Sequence, residues 1–466
     1  MLLKNGLLVF EDGTRKGDLR IAGEHILQVG ESLPPDAGEE TIDLEGLVVM
    51  PGGVDVHTHM DLDLGHVRAT DDFFTGTVAA ACGGTTTIVD HMAFGPQGCS
   101  PRHQVDVYHR LAEGKAVIDY SFHGVIDRVG DDVLAEMKAL IDDGITSHKC
   151  YLTYHRMVSD YEVMRLMEFS SESGVMIAVH AENNGAIARL REKCLAEGKT
   201  APIYHARSRP PETEAEAVSR MAFLARMSNH APLYIVHLST ALGLETACLL
   251  RRQGQRNLFI ETCPQYLLLD ESRYLQDDGL KYIMSPPLRT PDNLAALWDG
   301  IHKGHIETIG TDHCPFFYSR EKQLGKDDFS KAPGGAPGVE TRMPLMFSQI
   351  AAGRLTLERM ATLCSANPAR LFGMYPKKGV IAGGSDADLV VFDPRKKVTL
   401  TKELLHENTD YTAYEGIPLT GWPVMTFSRG ECICRNGQFT GTKGRGKFLK
   451  RGLPDLHVRA KGGQIP

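Results

Sequence analysis

No apolar run in the 466-residue chain is long enough to span a membrane, and the opening stretch MLLKNGLLVFEDGTRK has neither a secretory apolar region nor a cleavage site. These absences exclude a membrane role and point to a soluble, cytoplasmic protein. Positive charge is also in short supply. A net charge of −8 gives no reason to expect a nucleic-acid partner, and the one basic stretch, TGTKGRGKFLKRG, reads as a solvated tail or a subunit contact. The ten cysteines include no CxxC pair and no regular spacing, which suits buried reduced thiols better than a disulfide framework. Only ECICR sets two close together; Cys432 and Cys434, two apart on a strand, would share a face as core thiols. No internal repeat and no low-complexity segment stands out.

What is present is the composition of a globular α/β protein: 42% apolar residues, 24% charged residues and 47 glycines. Residues 1–50 alternate apolar and polar positions, as in LLKNGLLVF and GDLRIAG, with Gly, Asp and Asn between them, the pattern of short strands joined by tight turns. From residue 51 the pattern changes. Short β-branched runs (TTTIVDH, AVIDYSFHG, ITSHKCYLTY, VMIAVHAEN, PLYIVHLS, NLFIETCP, IETIGTDH) are each followed by a helix-like segment, which argues for parallel βα units. Their number over residues 51–375 predicts a (β/α)8 barrel. Strand patterns return over residues 376–440 in DADLVVFDP, KVTL and ECICRNGQF, so a second β-module takes strands from both chain ends, with residues 441–466 as a C-terminal extension.

Candidate chemistry sits at the ends of the runs. His57 and His59 follow GGVDV, Lys149 lies within TSHKCY, His180 follows VMIAV, His237 follows PLYIV and Asp312 follows ETIGT. In a βα barrel these ends converge on one face, where active sites are built. Four histidines and an aspartate exceed what one catalytic ion with an open position requires, so two divalent ions are the natural count, and ions so placed ionise a bound water near neutral pH. On the first barrel strand, Val54 and Val56 are expected to face one side and Asp55, His57 and His59 the other. Lys149 fits poorly at first, because an ammonium has no lone pair for a cation. His91 and His123 take supporting or core roles, His313 should point away from Asp312, Glu182 and Asn183 should support His180, and Cys263 reads as a buried thiol with no base beside it.

The stretches MPGGVDVHTH, DDFFTGTVAAACGGTTTIVDHM, KCYLTY, VHAEN, YIVHLS, ETCPQYLLL, SPPLR, TDHCPF, NPARLFG and GSDADLVVFDP, in this order along nearly the whole chain, resemble the cyclic amidohydrolases of the dihydropyrimidinase and hydantoinase family. Within it the chain looks most like the bacterial phenylhydantoinases. The resemblance implies a metal-bearing barrel with a β-sandwich built from both chain ends, two zinc ions, and a barrel lysine, here Lys149, carbamylated to N6-carboxylysine so that it bridges them. That modification turns a cation into an anionic bidentate ligand. His57, His59 and Asp312 would hold the more buried ion and His180 and His237 the other.

By the same resemblance, Tyr154 would bind the carbonyl oxygen as charge develops, the main chain at Ser285 would position the substrate imide, and Asp312 would shuttle the proton from the attacking hydroxide to the leaving nitrogen. A further main-chain contact falls at Gly334, where the family often has Asn, and the glycine predicts a more flexible loop. The implied substrates are small cyclic ureides, chiefly D-configured 5-substituted hydantoins with aromatic substituents; the implied assembly is a homotetramer whose C-terminal extension reaches a neighbour. Leu64, Met157 and Val158 are expected to wall the substituent pocket. Allantoinase and dihydroorotase are the alternatives within the fold, although dihydroorotases place an Arg where this chain has Asp61, a charge expected to repel the substrate carboxylate. A non-catalytic scaffold relative is the alternative outside catalysis, and the intact ligand positions oppose it.

Overall fold

A computed structural model describes residues 1–458. Nine strands form one continuous sheet: β1 (Leu2–Phe10), β2 (Gly13–Ala22), β3 (His25–Gly30), β4 (Thr41–Asp43) and β5 (Val48–Pro51) from the start of the chain, and four from its end. Between them come the barrel strands β6 (Gly53–Thr58), β7 (Thr85–His91), β8 (Asp119–Val125), β9 (Ser147–Tyr151), β10 (Met176–His180), β11 (Leu233–Ile235), β12 (Leu258–Thr262) and β13 (Thr308–Ile309). Then follow β14 (Leu389–Thr399), β15 (Pro418–Ser428), β16 (Glu431–Arg435) and β17 (Gln438–Phe439). β5 is the junction: it pairs parallel with β1 and antiparallel with β14, so the first and last parts of the chain share one sheet. This sheet closes over its own core of Leu8, Leu19, Ile21, Val49, Leu389 and Phe427. A bulge opposite Thr426 and Phe427 separates the two close cysteines, against the expectation of a shared face: Cys432 packs on this core, while Cys434 meets Cys82 in the helix Thr75–Cys82.

The stretch GGVDV and the seven runs that follow it form the eight barrel strands, in the order β6 to β13. They are β-branched without a polar face because both faces are buried: Ile177 and Val179 of β10 pack outward, while Met176 and Ala178 fill the interior beside Tyr234 and Phe259. The ring closes at a seam outside the named strands. Asp312 N donates to His57 O and His59 N donates to His313 O, each at 2.9 Å. Arg342, fully buried, braces this seam by donating to the carbonyls of Val54 and Ile309 at 3.0 and 2.9 Å.

The register of β6 corrects one expectation. Val54 and Val56 join the interior core, whereas Asp55 turns outward to Thr311 Oγ1 at 2.7 Å and toward Arg342. The pairing of β6 with β7 shifts between Asp55 and Thr58, and this irregularity brings His57 inward although Asp55 points out.

The C-terminal extension is not a solvated tail over its described length: it packs on the barrel of its own chain. Tyr120 N donates to Lys447 O at 3.0 Å and Leu449 N to Tyr120 O at 2.7 Å; Leu449 and Val458 are buried in the interior core, and Arg451 donates to Ser121 Oγ and Phe122 O. With Phe372, whose ring lies 4.9 Å from that of His123, the segment stoppers the barrel end opposite the candidate site. Residues 459–466 of the extension lie outside the described residues. No helix among the described residues is long and apolar enough to cross a membrane.

Candidate active site

Six of the residues singled out converge at the carboxyl ends of the barrel strands. The seam sets Asp312 against β6, so that its Oδ1 lies 3.1 Å from His57 Nε2 and 3.2 Å from His59 Nε2. Lys149 Nζ is 3.2 Å from His57 Nε2, and His180 Nδ1 is 3.0 Å from His237 Nε2. Ligand atoms of His57, His237 and Asp312 lie within 4.8 Å of one another. Asp312 and His237 both have left-handed backbone, with φ of 55° and 40°, and such conformations persist where the surrounding structure over-determines them.

Outer carboxylates orient the rings. His57 Nδ1 donates to Glu261 Oε1 at 2.5 Å, which turns its Nε2 lone pair into the site; His180 Nε2 donates to Glu182 Oε2 at 2.7 Å, leaving its Nδ1 lone pair facing His237. Burial keeps His59, His180 and His237 neutral by lowering their pKa values, His59 to about 4. Burial opposes charge on Asp312 as well, but His57 and His59 bonded to it hold its carboxyl well below the usual range.

This donor set fits divalent cations. The neutral imidazoles of His59, His180 and His237 meet one carboxylate and His57, whose pKa, against burial and Lys149, is raised by Glu261 and Asp312; His59 Nδ1 and His237 Nδ1 are buried without a hydrogen-bond partner. Lys149 is 2% exposed and has no carboxylate in ion-pair contact among the described residues; its nitrogen meets the His57 imidazole and stands 5.3 Å from the centre of the Tyr151 ring, and burial lowers its pKa to about 8. An unmodified ammonium is a poor occupant of such a place.

The remaining histidines behave as supports. His91 lies between His57 and His123, with ring separations of 4.5 and 4.2 Å, and His123 bonds Ser147 Oγ and Val56 O. His313 points away: its Nδ1 accepts from Gly338 N and Val339 N, so Nε2 carries the proton donated to Asp71. Asn183 caps the following helix (Asn184–Ala196) by accepting from Ala186 N, while Glu182 alone supports His180. Cys263 is fully buried and its thiol pKa is pushed well up by desolvation, so it is inert.

Above the six residues opens a cleft of about 970 Å³, lined by Tyr154, Ser285 and Gly334 among others. Tyr154 has φ of 70°, is 38% exposed, and sets its ring 5.2 Å from that of His180, with its hydroxyl toward the Ser285 side chain. Three expectations about the cleft change. Leu64 lines it, but Val158 is 4% exposed in the main core and Met157 faces solvent elsewhere; the apolar lining is instead Leu62, Leu64, Met92, Phe94, Ile187 and Leu324. Asp61 is turned away to accept from Phe73 N, so it exerts no direct repulsion in the cleft, although an Arg is still missing there. The Gly334 loop is anchored rather than loose, because the carbonyls on both sides of it accept from Lys322.

Sequence reading passed over Glu261, Arg209 and Lys322. Glu261 lies in the quoted run NLFIETCP at an interior strand-end position, which is the signal that could have found it. It also accepts from His237 N and Tyr234, and Gly310 must lack a side chain because a Cβ there would come within 2.6 Å of its carboxylate. Arg209 donates to Glu182 Oε2 at 2.6 Å from another segment, and no local pattern announces it.

Fold and donor set together define a class: a barrel enzyme with a candidate metal site at the carboxyl ends of its strands. A family model described as the amidohydrolase family matches residues 48–433, and the chain belongs to this family of metal-dependent enzymes. A curated relative, D-phenylhydantoinase of Escherichia coli O1:K1 / APEC, is 51% identical over 452 residues, covering 97% of this chain and 98% of its own. Among solved structures, dihydropyrimidinase from Brevibacillus agri NCHU1002 superposes with a TM-score of 0.95 at 41% identity, covering 97% of this chain and 99% of its own. L-hydantoinase (dihydropyrimidinase) from Arthrobacter aurescens has a TM-score of 0.88 at 30% identity, covering 97% and 99%.

Proposed function

We propose that the protein hydrolyses the cyclic amide bond of 5-substituted hydantoins to give N-carbamoyl amino acids, and acts on dihydropyrimidines in the same manner. The observation that carries this reading is the convergence of His57, His59, Lys149, His180, His237 and Asp312 at the floor of one cleft, in a chain alike in sequence over nearly its full length to a D-phenylhydantoinase. His57, His59 and Asp312 would hold one zinc ion and His180 and His237 a second, with Lys149 carbamylated to N6-carboxylysine between them. Its isolation from any acceptor except His57 supports that modification. When bound, the ions polarise the substrate carbonyl and lower the pKa of water so that it attacks near neutral pH.

The protein's own groups do the rest. Tyr154 Oη donates to the carbonyl oxygen as it gains negative charge, while the main chain at Ser285 and Gly334 holds the imide edge of the ring. Asp312 keeps Oδ1 toward His57 and His59, leaving Oδ2 to take the proton of the attacking water and deliver it to the leaving ring nitrogen. The wall of Leu62, Leu64 and Phe94 receives an aromatic substituent. Preference for the D-hand rests on the likeness to D-hydantoinases; because an L-hydantoinase has the same fold, the hand is set by these lining side chains and not by the barrel. A homotetramer is the expected assembly, measurable by light scattering.

A turnover panel of D- and L-phenylhydantoin, dihydrouracil, allantoin and dihydroorotate on the zinc-loaded protein tests this. Hydantoin and dihydrouracil should turn over fastest. Comparable rates on dihydroorotate or allantoin would overturn the substrate assignment, and a protein that takes up no zinc on loading and is inactive on all five would favour a scaffold.

A further inference from the structure

Lys322 lies in the short helical turn Glu321–Gly325 and is fully buried. Its ammonium donates to three main-chain carbonyls: Ile283 O at 2.6 Å, Pro333 O at 2.8 Å and Gly335 O at 2.6 Å. No carboxylate makes an ion pair with it among the described residues; the titratable groups that feel its charge are the Cys314 thiol and the His205 imidazole, and the Phe316 ring centroid stands 5.9 Å away. A buried cation without a counter-ion is costly, and burial pulls its pKa down to about 7. A site that keeps such a charge satisfies it through carbonyl oxygens alone, and the position of those oxygens is what matters.

They belong to two chain segments. Ile283 stands two residues before Ser285, and Pro333 and Gly335 flank Gly334. The segments also meet directly, since Gly335 N donates to Ile283 O at 3.1 Å and a Cβ on Gly334 would lie 3.5 Å from Ser285 Oγ. An apolar side chain at 322 would leave the buried carbonyls of Pro333 and Gly335 without their donor and that of Ile283 with Gly335 N alone, and the segments would move apart to find water.

We propose that Lys322 is a positioning residue: its ammonium fixes the separation of segments 283–285 and 333–335, and thereby the main-chain groups that grip the substrate imide. This inference rests on the assignment of those contacts to Ser285 and Gly334. Lys322 makes no hydrogen bond to any of the six candidate metal-binding residues, so its effect should fall on substrate binding and spare the chemical step.

The test uses Lys322→Met and Lys322→Gln in the full, metal-loaded protein. Metal content should equal that of the wild type, KM for phenylhydantoin should rise about 10-fold in the Met variant and less in the Gln variant, which keeps a short donor, and kcat should change little. An unchanged KM with a lower melting temperature or a lower kcat would overturn the proposal, as would failure of both variants to fold with their metals. A substrate-independent readout accompanies the kinetics: hydrogen exchange at the Gly335 amide should accelerate in both variants, and unchanged exchange would refute the clamp. A metal-loaded wild type that turned over no cyclic ureide would instead refute the functional reading, with exchange still deciding the clamp.

Discussion

Replacing Glu261 with Gln isolates the charge of the carboxylate behind His57. Glu261 Oε1 accepts from His57 Nδ1 at 2.5 Å and from His237 N at 2.9 Å, while Oε2 accepts from the Tyr234 hydroxyl at 2.9 Å. The isosteric amide can present its oxygen to His57 and His237. Its NH2 then faces Tyr234, whose hydroxyl can turn its proton to Thr308 Oγ1, 2.6 Å away. Hydrogen bonding and packing therefore survive and only the negative charge is lost, making His57 Nε2 a poorer donor to a cation. Loss of such an outer carboxylate costs about 10–100-fold in metal affinity. This corresponds to about 1.4–2.7 kcal/mol. Glu261→Ala is less informative, since it strands the buried donors of His57 and His237 at about 1–3 kcal/mol each and endangers the fold. The assay is metal retention across a chelator titration, with circular dichroism to show that the barrel persists. A Gln variant that holds its metal as tightly as the wild type, with the fold intact, would refute the contribution of the carboxylate charge.

Four further outcomes are expected. Lys149→Ala should lose bound metal and turnover together, read by elemental analysis and a hydantoin assay; retention of two ions and full activity would exclude the bridging modification. Tyr154→Phe should lower kcat by about 100-fold or more while leaving metal content unchanged, because one donor to the developing oxyanion is removed. Arg342→Met should destabilise the barrel by about 3–5 kcal/mol, since Asp55 is left buried without its cation and the seam carbonyls lose their donor; the urea midpoint reads this. Leu449→Ala should cost about 2–4 kcal/mol by opening a cavity at the stoppered end of the barrel, seen as a lower melting temperature without loss of metal.

The barrel was legible because its signal is local. Each strand is a β-branched run buried on both faces, and every quoted run from TTTIVDH to IETIGTDH contains one of β7 to β13. The convergence of the candidate ligands was legible for the same reason: the fold rule places strand ends on one face, so residue type and position in a run sufficed to group His57, His59, His180, His237 and Asp312. Lys149 was different, since residue type argued against it and only the family likeness supplied a role. What stayed hidden depends on long-range contact. Glu261 meets His57 across 204 residues, and Lys322 acts on carbonyls, which leave no trace in side-chain identity. Loop orientation was equally hidden: Met157 and Val158 look alike as pocket walls, yet Val158 is drawn into the core as its amide bonds Tyr151 O.

The sequence by itself determined the class of fold, the strand ends that hold the candidate ligands and a cysteine pattern suited to reduced thiols, because periodicity and residue type act over a few positions. Tertiary structure alone decided the seam that sets Asp312 against His57 and His59, the irregularity that turns Asp55 out and His57 in, the course of the C-terminal extension beneath its own barrel, and the Lys322 clamp. Those features follow from which buried donor finds which acceptor once the barrel closes, and that pairing is a property of the packed chain.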